Sequence, residues 1–163
     1  MTRKVTGTWL GEYTYGPGYQ GIAGTSVPFT MSLTDSLLRR VAGYVRDDAA
    51  KGGQPERGRI TGTRRGSTLT FVKTMPAGYV IDADGTMVEK SAWLQRVFGI
   101  DAGPPAEHRI EYEGELSADG QTIRGRWQIR ATTTIKTAEG VQMWGGGSGT
   151  WSARRISDLP STV

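Results

Sequence analysis

RIEYEGELSADGQTIRGRWQIR, residues 109–130, is the stretch whose reading decides the fold. Ile110, Tyr112, Gly114 and Leu116 alternate with Arg109, Glu111, Glu113 and Glu115, the period of a strand with one face in the core and one in water. Ser117-Ala118-Asp119-Gly120 is a turn signal, and beyond it Ile123, Gly125, Trp127 and Ile129 alternate with Arg124, Arg126, Gln128 and Arg130. The pair reads as a hairpin. If Leu116 faces Ile123, Tyr112 lies beside Trp127 and Ile110 beside Ile129 inside, while Glu115 meets Arg124 and Glu113 meets Arg126 outside. A one-residue slip would bury four charges, so the register is strongly specified.

The same period recurs in Val5–Tyr15, Val27–Leu33, Val41–Val45, Gly58–Arg64, Thr68–Met75 and Ser148–Arg155. With the hairpin this predicts an all-β chain: a single eight-stranded antiparallel up-and-down barrel, one domain over 1–163 with a tail from 157. Glycines at inward positions 7, 11, 43, 62, 114, 125 and 149 permit the strong coiling that closes a small barrel. The connections 34–40, 65–67 and 117–122 are short, whereas 16–26, 46–57, 76–106 and 132–147 are long. A meander sends alternate connections to opposite ends, which makes one end a floor and the other an open mouth. Thr86-Met87-Val88-Glu89 fits a capping box, and Trp93, Leu94, Val97 and Phe98 follow at helical spacing before Gly99. These predict a lid helix over 86–98 at the open end.

Fifteen Arg and five Lys against 16 acids give a net charge of +4. Acids and bases alternate along the strands instead of gathering on one face, which argues against a nucleic-acid partner. With no cysteine there is no disulfide, thiol nucleophile or zinc–thiolate site. No apolar run reaches membrane-spanning length, and the barrel pattern beginning at Val5 leaves no room for a leader. The expected location is cytoplasmic, with no membrane partner. The run Gly145-Gly146-Gly147-Ser148-Gly149 lacks the Lys-Ser/Thr and helix start of a phosphate loop, so no cofactor is expected.

Gly7-Thr8-Trp9 on the first strand, the eight-strand meander and the terminal Trp151-Ser152-Ala153-Arg154-Arg155 together resemble the calycin superfamily of lipocalins and avidin-like proteins. The resemblance implies that Trp9 closes the floor and that a basic residue of the last strand, Arg155 before Arg154, packs across it. It also implies a binding cavity for a small, partly apolar molecule. The lipocalin Thr-Asp-Tyr motif and a residue set matching the avidin biotin site are missing, so no ligand identity carries over.

Lys73 falls on the inward parity between Phe71 and Met75, and His108, the only histidine, on the inward parity of the next strand near the mouth. Side by side they would clamp an anionic or polar head; at a solvated rim they would do nothing. Tyr13, Tyr15, Phe29, Tyr112 and Trp127 are inward aromatics, either walls for a ligand's apolar body or core filling. The expected function is binding of a small ligand in the barrel, without metal. Cofactor-independent isomerisation or cyclisation in the same cavity, and a protein-interaction module with a filled barrel, stay open as alternatives. So does a homo-oligomer.

Overall fold

The period-two pattern folds into strands. The computed structural model describes residues 4–82, 84–130, 133–137, 140–144 and 146–163. In chain order the elements are β1 (Gly7–Tyr15), β2 (Ser26–Asp35), β3 (Arg40–Asp47), β4 (Arg57–Arg65), β5 (Thr68–Met75), β6 (Tyr79–Ile81), β7 (Met87–Glu89), α1 (Lys90–Phe98), β8 (His108–Leu116), β9 (Thr122–Ile129), β10 (Thr133–Thr137), β11 (Gly140–Trp144) and β12 (Gly147–Ser157). Eight of these strands close an antiparallel barrel in the order β1-β12-β9-β8-β5-β4-β3-β2. The β8–β9 register places Leu116 opposite Ile123, Tyr112 opposite Trp127, Glu115 opposite Arg124 and Glu113 opposite Arg126, as the charge pattern demands.

Inward residues make the core, with Trp9, Met31, Leu33, Val41, Ile60, Leu69 and Ile123 almost fully buried. Two inward glycines are needed because indoles lie across them. A Cβ on Gly149 would stand 2.7 Å from the Trp127 ring, and one on Gly114 would stand 2.6 Å from Trp151 Cζ2.

Closure depends on the floor. The Trp9 indole N–H donates to the Val5 carbonyl at 2.9 Å, and the Arg155 guanidinium lies 4.4 Å from the Trp9 ring centroid. Arg155 also donates to the carbonyls of Lys4 (2.7 Å), Gly120 (3.1 Å) and Thr6. One cation thus joins β12 to the segment before β1 and to the β8–β9 turn. Beside it, buried Arg64 pairs with buried Asp35 at 2.7 Å, and the same Asp35 oxygen accepts from the Val5 amide at 3.3 Å.

The long connection after β5 departs from expectation. Residues 87–89 are strand β7, paired with β6 through Tyr79–Glu89, Val80–Val88 and Ile81–Met87, and the helix starts only at Lys90. The cause is local turn chemistry. The Asp82 amide donates to the Thr86 carbonyl at 2.8 Å, the Thr86 amide donates to Asp84 Oδ1 at 2.9 Å, and Gly85 takes φ 84°, so this Asp-Gly turn claims Thr86 before it can cap a helix. Glu89 is the cap instead, accepting from the amides of Ser91 and Ala92. The expected apolar stripe is also only half used. Trp93 and Leu94 are buried against Val80 and Val88, whereas Val97 and Phe98 stay 50% and 38% exposed. β10 and β11 pair antiparallel within the 132–147 connection, where the sequence predicts no strand.

Replacing Arg155 by Ala removes the ring contact and leaves three carbonyls without their donor. The expected loss is about 2–3 kcal/mol, a fall of about 4–12 °C in Tm for a domain of this size. Thermal denaturation followed by near-ultraviolet circular dichroism checks this, and an unchanged Tm would contradict the role given to the floor.

Candidate functional site

At the mouth the inward positions are too large and too polar to fill the barrel completely. A cavity of about 400 Å³ remains. Its walls come from β1 (Tyr13, Tyr15), β5 (Lys73), β8 (His108, Ile110, Tyr112), β9 (Trp127, Ile129), the β1–β2 connection (Tyr19) and the β3–β4 connection (Gln54). The lid contributes Tyr79, Val80 and Ile81 of β6, Met87 of β7 and Trp93 of α1, so this hairpin and helix cover the open end.

Lys73 and Asp47 form the polar centre. Asp47 ends β3 on the same parity as Val41, Gly43 and Val45 and is 5% exposed; Lys73 is 3% exposed. Lys73 Nζ donates to both carboxylate oxygens at 2.7 Å and stands 5.4 Å from the centroid of the Tyr13 ring. Gly58 of β4 makes room for the lysine stem, since a Cβ there would lie 3.3 Å from Lys73 Cε and 2.6 Å from Met75 Sδ.

Aromatic rings surround this pair. Tyr13 meets Tyr15 edge-on at 5.6 Å and Trp127 at 6.1 Å, Tyr15 meets Tyr19 at 4.8 Å, and Phe71 stacks on Tyr112 at 4.8 Å. Burial, then the Asp47 charge, pushes the phenols of Tyr13 and Tyr112 far above the usual tyrosine range. Burial also raises Tyr15, and it raises Tyr19 to about 12. These phenols are therefore neutral hydrogen-bonding groups at ordinary pH. His108 is pushed down by burial and by the positive charges of Lys90 and Lys73, which leaves a neutral imidazole at pH 7. The Tyr79 hydroxyl, on the lid, donates to Glu56 Oε1 at 2.7 Å and fastens β6 to the β3–β4 connection.

Six of the seven residues singled out from sequence face this cavity: Tyr13, Tyr15, Lys73, His108, Tyr112 and Trp127. Phe29 does not, and it packs toward Trp151 at 6.5 Å. Lys73 and His108 are diagonal rather than side by side, for Lys73 stands opposite Ile110 and Met75 opposite His108. Asp47 is the main residue that sequence reasoning missed. Its signal was present, since the inward parity of β3 runs one step past Val45 to reach it. Gln54, Tyr19 and Tyr79 sit in connections with no such parity. Compared with known proteins, the chain matches no family model and no curated sequence.

Lys73→Met strands a buried carboxylate, and the expected cost is about 3–5 kcal/mol. Lys73→Met combined with Asp47→Leu should recover most of that loss in urea denaturation; a double variant no better than the single would contradict the pairing. For His108, whose folded-state proton affinity lies below that of the unfolded chain, stability is full above the unfolded value near ~6.5. It falls as pH drops from there toward the lower folded value, because the unfolded chain binds the proton first. His108→Gln should flatten this part of the stability–pH curve, and an unchanged slope would assign the dependence to other groups.

Proposed function

We propose that the barrel binds a small, partly apolar molecule with a neutral polar head in the mouth cavity. One observation carries this reading: a cavity of about 400 Å³ holds a buried Lys73–Asp47 pair beneath neutral phenols and the Trp127 indole. That volume falls within the roughly 300–1,000 Å³ of small-molecule sites, which combine apolar walls with a few placed polar groups. Because Asp47 already occupies Lys73 on two oxygens, a carboxylate head would bring a second negative charge beside Asp47. A carbonyl, hydroxyl or amide head meets no such repulsion, and the remaining lysine N–H, the phenols and His108 offer it partners. The ring arrangement suits a flat or unsaturated body, which gains from edge and face contacts as well as from burial. The Trp9–Arg155 floor supports kinship with the calycin barrels and, by analogy of fold, the same reading.

Conversion of the ligand is the second reading. Neutral phenols on Tyr13 and Tyr112 and a neutral His108 imidazole in one cavity supply hydrogen-bond donors and a base for proton transfer at a carbonyl compound.

Native mass spectrometry of protein purified from its own host identifies the bound molecule, and titration of that molecule measures the site. Tyr15→Phe and His108→Ala should each weaken binding by about 1 kcal/mol, close to fivefold in Kd. No added mass, together with variants that bind as wild type, would overturn the proposal. Loss of the molecule with appearance of a product on incubation would favour conversion.

A further inference from the structure

The closed end carries an exposed apolar apex. The turn between β2 and β3 is Ser36-Leu37-Leu38-Arg39, held by Arg39 N–H to the Ser36 carbonyl at 3.0 Å and by Ser36 N–H to the Arg40 carbonyl at 2.9 Å. The residue types run against what such a turn favours. Its centre ordinarily holds Asn, Asp, Gly or Pro, yet Leu37 is 92% and Leu38 80% exposed, the two most exposed large hydrophobics among the described residues. Arg39 takes φ 61° and is the one non-glycine with positive φ among the described residues, where glycine would sit without strain.

Basic residues ring this apex. Arg39 and Arg40 follow the leucines, and the Arg64 amide donates to the Arg39 carbonyl at 2.9 Å, which brings the exposed Arg65 at the end of β4 alongside. Among the described residues none of Arg39, Arg40 and Arg65 makes an ion pair, while the nearby Asp35 is buried and committed to Arg64. Leu159, 75% exposed, belongs to the same end, because its carbonyl accepts from Thr8 at the start of β1 at 2.8 Å.

We propose that the Leu37–Leu38 turn docks the protein on an anionic lipid surface. The two leucines enter the boundary between headgroups and acyl chains, and Arg39, Arg40 and Arg65 meet lipid phosphates. Charge complementarity selects this occupant. A second copy would set the same arginines against one another, and a protein partner needs roughly 800 Å² on each side, far more than two side chains at a turn present. Docked by its floor, the barrel turns its mouth toward water, so this surface and the cavity act independently.

Co-sedimentation with vesicles tests the proposal. Wild-type protein should pellet with phosphatidylcholine vesicles containing phosphatidylglycerol at least about tenfold more strongly than with phosphatidylcholine alone, and high salt should weaken the binding. L37S/L38S, on exposed positions, should lose that binding with an unchanged circular dichroism spectrum, and R39Q/R40Q should reduce it. Absence of wild-type binding to the anionic vesicles would overturn the assignment, as would an L37S/L38S variant that binds like wild type. So would a concentration-dependent dimer in sedimentation velocity that the leucine substitutions abolish, since the apex would then serve a second copy.

Discussion

Closure of the sheet between β1 and β12 is the constraint on which every other feature depends. With no cysteine in the chain, nothing covalent holds the first strand to the last. Backbone pairing such as Trp9 with Arg155 and Tyr13 with Trp151 does so, and Arg155 secures it from the floor by reaching Lys4, Thr6 and Gly120 while covering Trp9. A guanidinium suits this place because its planar fork serves several carbonyls at once and still stacks on a ring. Closure also removes the exposed strand edges that an eight-stranded open sheet would present.

A barrel closed at the floor fills from that end. Trp9, Leu33, Leu69 and Ile123 pack the lower layers, and inward glycines admit the large rings above them. Toward the mouth the inward residues become Tyr13, Tyr15, Lys73, Asp47 and His108, which cannot all interlock without leaving polar atoms stranded, and the space among them persists as the cavity. The Lys73–Asp47 pair spans β5 and β3. Two charges taken out of water carry a desolvation cost that their attraction only offsets when the geometry is good, and two contacts of 2.7 Å meet that condition. The same pair keeps negative charge near Tyr13 and Tyr112 and positive charge near His108. Burial is the larger cause for all three groups, and the pair's charges add to it.

The lid shows how two local signals compete. Thr86 to Glu89 reads as a capping box, but Asp84-Gly85 just before it forms a hairpin turn whose hydrogen bonds engage Thr86 first. The helix therefore begins at Lys90, four residues past the expected start at 86, with Glu89 as its cap. Because β6 and β7 are only three residues each, no alternation long enough to detect runs through them. Connection length marks the segment that carries the helix, whereas the capping motif places the helix start too early.

By itself the sequence determined the eight barrel strands, the inward face of each and the β8–β9 register, but not β6, β7, β10 or β11. Period-two burial and the cost of burying Glu113, Glu115, Arg124 or Arg126 leave no competing arrangement. It also marked which side chains point inward, Lys73 and His108 among them. Which of these meet was decided only by the tertiary structure. Parity says that Lys73 faces the interior and is silent about which side chain meets it there. Asp47 comes within 2.7 Å of it because only β4 lies between β3 and β5 and its Gly58 leaves the lysine stem room, and Phe29 packs across β1 toward Trp151. Strand alternation is a property of neighbours along the chain, whereas the contents of a site depend on curvature, stagger and loop paths that residues far apart establish together.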